Sequence, residues 1–181
     1  ARKRFGGLIS EGRVRPGDPR VAVLLPQTFM NESGSAAGPA RGALGVPLDH
    51  VVMRHDEIYR PFGEVRGKLG GGLAGHNGLK SLGAGLGGPD FWRVRAGVGR
   101  PESTDPEIVS SYVLSRFREP KDQVANLIEA AADEAERLVE EIAAGAGAKD
   151  EADASPHTPV DARAPEAEPR ATRDKPEDVG G

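Results

Sequence analysis

His55 and Asp56 stand side by side in "RHDEIY", and His76 and Asn77 follow a run of glycines in "KLGGGLAGHNGLKS". A second amide, Asn31, sits in "PQTFMNESG". Imidazole, carboxylate and carboxamide are the side-chain types that move protons or hold a polarised carbonyl. His55, Asp56 and His76 are also metal-ligand types. Adjacent residues of a strand point to opposite faces, however, so His55 and Asp56 cannot easily share one ion, and no metal is expected. Each amide offers two donors and an acceptor without adding charge, which suits a peptide-like backbone. Taken singly, Asn31 or Asn77 reads first as a helix cap or a turn residue.

The glycines narrow the chemistry. A phosphate-cradling P-loop needs glycine directly followed by lysine and a hydroxyl residue, and here Leu79 separates Gly78 from Lys80. The spacing and downstream acid of a dinucleotide fold are missing as well. Bare backbone at this point fits close approach of a bulky ligand and a sharp turn into the next helix.

The elements that must position these residues are legible from pattern. "FGGLISEGRV" and "RVAVLLP" read as two strands of a hairpin, separated by the turn signal "RPGDP". After Pro26 a short or kinked helix is expected, with Ser33 or Ser35 as its cap and Pro39 as an irritant. "DHVVMRHDE" is a strand with Val52, Arg54 and Asp56 on one face and Val51, Met53 and His55 on the other. Its carboxyl end, where open α/β sheets place ligands, carries His55 and Asp56. "FGEVRGKL" and "FWRVRAGVG" are further strands, and a short helix is expected from Asn77. The clearest helix is "EPKDQVANLIEAAADEAERLVEEIAAG", with a buried stripe of Val124, Leu127, Ile128, Ala131, Ala135, Leu138, Val139 and Ile142. The expected class is α/β, a single domain with a twisted mixed β-sheet flanked by helices.

That domain is expected to span residues 1–144. Residues 145–181 contain no Phe, Trp, Tyr, Leu, Ile or Met and five prolines, the composition of a disordered acidic tail rich in Ala and Pro. The tail holds nine acidic and five basic residues, the whole of the net charge of −4. Residues 60–100 are locally basic, with Arg60, Arg66, Lys68, Lys80, Arg93, Arg95 and Arg100 against Glu64 and Asp90. This hints at an anionic partner, though a merely solvated basic face fits the charge equally well. Cysteine is absent, which excludes disulfide and thiol chemistry. No stretch approaches the roughly 20 apolar residues of a membrane span, and no signal-peptide pattern opens the chain, so a cytoplasmic protein is expected.

Three blocks, "PQTFMNESG", "RHDEIYRPFGEVRGKLGGGLAGHNGLKS" and "DFWRVRAGVGRP", resemble the bacterial peptidyl-tRNA hydrolase family in order and spacing. The resemblance covers most of residues 1–144. It implies hydrolysis of the ester between peptide and tRNA in peptidyl-tRNA, recycling tRNA from stalled translation, by a monomer without cofactor or metal. By the same resemblance Asp56 matches the acid that orients a catalytic histidine, while Asn31 and Asn77 match the amides that hold substrate. Phe29 and Met30 match an apolar wall, His76 lies at the cleft rim, and Lys68 and Arg95 match residues that grip tRNA phosphate.

Two smaller departures from the family pattern are Tyr59, where an acid is usual, and Ala74, where a glycine is usual. A larger one is the family's Gly-Asn-Pro-Gly turn and the Thr-Arg-His-Asn stretch that supplies its general base. His50, His55, His76 and His157 are the only histidines, and none lies in that context. His55 and His76 belong to other blocks of the family and do not take the role. The expectation is therefore a hydrolase lacking its N-terminal segment and inactive as given, the alternative being a noncatalytic tRNA- or RNA-binding relative.

Overall fold

A computed structural model of the chain describes residues 1–145 apart from Val14 and Ala74. All but the first residue of the expected tail, and the departure at Ala74, therefore lie outside the described residues. The first sheet is antiparallel, with β1 (Arg2–Arg4), β2 (Gly7–Gly12) and β3 (Val21–Pro26) in that order. Its register pairs Arg2 with Ile9 and Gly7 with Pro26, so the hairpin read from "RPGDP" joins β2 to β3.

After a 3-10 turn at Met30–Glu32 comes α1 (Ser33–Leu44). It runs 12 residues, longer than the sequence suggested, with Pro39 inside it. Neither serine caps it. The Ser33 and Ser35 hydroxyls donate backwards to the carbonyls of Met30 and Glu32, and Glu32 is the capping residue without a side-chain bond.

The second sheet is mixed. Its order is β4 (Val52–Glu57), β6 (Trp92–Gly97), β5 (Val65–Leu69), with β4 parallel and β5 antiparallel to the central strand. The strands thus form two three-stranded sheets, one of them the mixed sheet that the pattern implied. The alternation read along β4 holds from Val51 to Met53, with Val52 in one core and Val51 and Met53 in the other. It does not hold at the carboxyl end, where His55 and Asp56 both reach His76 and line one cavity instead of pointing to opposite faces.

Those two cores lie on opposite faces of the mixed sheet. On one, α2 (Asn77–Leu86) buries Leu79, Leu82 and Leu86 with Phe91. On the other, α4 (Lys121–Ala143) packs Ala131 and Leu138 on Trp92 and Val94. Both helices show the three-and-four spacing that makes one face apolar. The α4 stripe is narrower than its letters: Ile128 is 60% exposed, whereas Leu127 is buried.

One helix escaped the periodicity reading. It is α3 (Pro106–Val113), whose N-cap Asp105 accepts a bond from the Glu107 N–H at 2.8 Å, with proline in the first turn. The cue was the Asp-Pro pair, since aspartate before a first-turn proline is a helix start.

Candidate active site

The glycine stretch is shaped by a buried cation, Arg93, whose role is not visible in the local charge count. Arg93, 3% exposed, donates to the carbonyls of Gly72 (2.7 Å), Gly71 (2.9 Å) and Pro89 (3.3 Å). All three lie outside the strands, and a charged donor makes a stronger bond to a carbonyl than a neutral one does. Gly70, Gly71 and Gly75 all have positive φ, where a side chain would be strained.

The loop delivers His76 to the start of α2. His76, not Asn77, caps this helix: its Nδ1 accepts from the N–H groups of Gly78 (3.1 Å) and Leu79 (3.3 Å). With Nδ1 used as an acceptor, the ring proton sits on Nε2, which faces Asp56 Oδ1 at 3.2 Å. Asp56 occupies the penultimate position of β4. The hydrogen bond from His76 outweighs burial and holds the Asp56 carboxyl below its ordinary value of 3.8.

His55 plays a different part. It is 9% exposed, and its Nδ1 lies 2.6 Å from the Asp56 carbonyl oxygen, so Nδ1 donates and pins the peptide unit after Asp56. Its Nε2 is buried without a partner among the described residues. Burial pushes the His55 imidazole below its ordinary 6.5, against the pull of that backbone bond. The two rings meet edge to face, with centroids 5.3 Å apart.

A small cavity of about 110 Å³ opens here, lined by Met30, Ser33, His55, Asp56 and His76 above Met53, Leu79 and Leu82. Of the residues singled out from sequence, Met30, His76 and Asp56 therefore share one cleft. Asn31 and Asn77 do not line the cavity. They are exposed neighbours of a touching pair, because a Cβ at Gly78 would stand 3.0 Å from the Met30 side chain. Neither amide has a side-chain hydrogen bond among the described residues, so both are available at the rim. Phe29 is 79% exposed beside them.

Lys68 and Arg95 do not line the cavity but stand on the strands beside it, Arg95 opposite His55 in the β4–β6 ladder. Lys68 pairs with Arg93 across the β5–β6 ladder and Arg95 with Arg66, so four cations share one sheet face, and both are partly buried. Chemically, the cleft can bind a carbonyl through amide donors and orient a proton carrier through the carboxylate. Among the described residues no group of three His, Asp or Glu side chains is placed to hold a metal ion.

The family model described as "Peptidyl-tRNA hydrolase" matches residues 1–155. A peptidyl-tRNA hydrolase of Acidiphilium cryptum is 46% identical over 138 residues, 76% of this chain and 70% of that protein. One from Azorhizobium caulinodans is 47% identical over 116 residues, covering 64% of this chain and 54% of the relative. The chain thus spans between about half and three quarters of the relatives it matches. A crystal structure of peptidyl-tRNA hydrolase from Acinetobacter baumannii superposes with a TM-score of 0.66 at 32% identity, over 79% of this chain and 71% of that one.

Proposed function

The chain belongs to the peptidyl-tRNA hydrolase family, and we propose from that premise that its cleft receives the acylated end of peptidyl-tRNA for hydrolysis of the peptide ester. The observation that carries this reading is the placement of Asp56. Its carboxylate is held by His76 at the carboxyl end of β4, with two unengaged amides nearby, Asn31 on the 3-10 turn and Asn77 at the start of α2. An ester needs donors aimed at the developing oxyanion and a carboxylate that fixes an imidazole. Asn31 and Asn77 supply the first, Asp56 the second. Phe29 and Met30 offer an apolar wall to the peptide, while Lys68 and Arg95 take phosphate. The reading needs neither metal nor cofactor and places the protein as a monomer in the cytoplasm.

The histidine that Asp56 serves in the family is absent from these 181 residues, and His76 already spends both ring nitrogens on Asp56 and the helix cap. General-base catalysis supplies roughly 10²- to 10⁴-fold in rate. The 181-residue chain is therefore expected to bind peptidyl-tRNA yet release peptide at no more than the uncatalysed rate. Rapid turnover by the purified chain would show that one of the histidines present acts as the base. Failure to retain peptidyl-tRNA at low salt would overturn the binding reading itself.

A further inference from the structure

At the same end of the mixed sheet as Asp56, the Arg100 guanidinium lies over the Tyr59 ring, 4.9 Å from its centroid. Tyr59 follows β4 and Arg100 follows its parallel neighbour β6, and both side chains are exposed, Tyr59 by 58%. An exposed tyrosine stacked with an arginine presents a π-face backed by positive charge.

The two loops carrying this pair are fastened together. Val98 N–H donates to Glu57 O (3.2 Å), Gly99 N–H to Arg60 O (3.0 Å), Gly63 N–H to Gly97 O (3.1 Å) and Gly97 N–H to Glu64 O (2.7 Å). A Cβ at Gly97 would fall 2.1 Å from the Pro61 carbonyl oxygen, so the segments touch backbone to backbone. The Tyr112 hydroxyl of α3 also donates to the Val98 carbonyl at 2.6 Å. The backbone that carries the Tyr59–Arg100 pair is thus fastened between the two loops. Tyr59 is three positions after Asp56, which limits their Cα separation to about 11 Å.

We infer that Tyr59 and Arg100 form a stacking platform for an unpaired nucleobase at the 3′ end of the bound tRNA, next to the ester at Asp56. Unstacked bases are held on aromatic faces and guanidinium planes, and a cation beside the ring favours a base on a polyanionic strand over an aromatic side chain of the peptide. Arg66 and Arg95 on the neighbouring strands supply the same sign of charge. Because nearly every unpaired base has a π-face, the platform positions the end without reading its sequence.

The inference rests on the binding reading above, and the test separates the two. Affinities would be measured for a tRNA with its full single-stranded 3′ end and for the same tRNA trimmed of its terminal nucleotide, using the parent chain, Tyr59→Ala and Tyr59→Phe. Tyr59→Ala is expected to weaken binding of the full tRNA by about 5- to 150-fold and to leave the trimmed one unchanged. Tyr59→Phe should restore the parent ratio. A 2-aminopurine placed at the terminal position should be quenched on the parent and on Tyr59→Phe but not on Tyr59→Ala. An equal ratio of affinities in parent and Tyr59→Ala, with tRNA still bound, would overturn the platform alone. No salt-sensitive binding of either RNA by the parent would overturn the binding reading and the platform with it.

Discussion

A single imidazole, that of His76, joins a helix to a strand end. Its Nδ1 closes the α2 N-terminus and its Nε2 meets Asp56, so the tautomer that caps the helix is the one that can donate to the carboxylate. The sequence showed the Gly-His-Asn run but not this division of labour. Asn77 is the commoner residue type for a cap, and nothing in the letters says that the histidine before it would take the position. The arrangement separates two effects experimentally. His76→Ala should cost about 1 kcal/mol through the lost cap, whereas His76→Asn keeps a capping acceptor but is too short to reach Asp56 as well. In both variants the Asp56 carboxyl should titrate higher than in the parent, because the hydrogen bond that lowers it is gone while the burial that raises it remains. In the parent, a depressed folded-state value means that Asp56 contributes stability fully above its unfolded value near 3.8 and loses it as pH falls through the folded value. Carbon-detected titration of the carboxyl together with urea denaturation checks this. An unshifted Asp56 in His76→Asn would mean that the 3.2 Å contact carries no weight in solution.

Among the elements, what brings Met30 and Asn31 to the start of α2 is the approach of α1 to α2. A Cβ on Gly34 would lie 1.9 Å from the Ser81 carbonyl oxygen, one on Gly38 2.4 Å from that of Gly85, and one on Gly85 2.2 Å from that of Gly34. The helices meet through backbone, and the Gly34 N–H also donates to the Ser81 hydroxyl at 3.0 Å. Arg41 finishes the pairing by donating to the carbonyls of Val46 and Leu86 at the two helix C-termini. Gly38→Ala should therefore destabilise the domain by about 1 to 3 kcal/mol through overpacking and shift the cleft rim. Gly42→Ala, on the same helix with open space around it, should stabilise by up to about 1 kcal/mol. Thermal melts of both variants decide the matter, and equal responses would show that the close approach does not constrain the helices. The strands and the long C-terminal helix were readable because period two and period three-to-four survive in the letters, as along Val52–Glu57 and from Leu127 to Leu138. The reach of α1 past Pro39 and the exposure of Ile128 were not, since both depend on partners distant in sequence.

Over the whole molecule, charge is the property that sequence and structure describe most differently. The formal net charge of −4 argues against a polyanionic partner, yet it comes from residues 145–181, and residues 1–144 carry equal numbers of each sign. Folding then sorts the cations by task. Arg93 is consumed in holding the glycine loop, while Arg66 is exposed and Lys68 and Arg95 are partly buried on the same sheet face. Linear order could not show that sorting, because Lys68 and Arg93 become neighbours only through the antiparallel register of β5 and β6. Resemblance assigned Lys68 and Arg95 to phosphate; the register makes them part of one basic surface instead of two isolated charges. Cations that meet phosphate bind by releasing condensed counterions, so affinity falls with salt along a slope set by the number of phosphates neutralised. Lys68→Ala and Arg95→Ala should each weaken tRNA binding and flatten the slope of log affinity against log salt by about 0.7 to 0.9 for every phosphate left without its cation. The double variant should show the sum of the two effects, as expected where each side chain neutralises a phosphate of its own. Charge-preserving Lys68→Arg should keep the slope even if affinity drops through altered packing. A slope identical to the parent's in both alanine variants would mean that this face meets no phosphate, and the tRNA would have to lie on another surface of the domain.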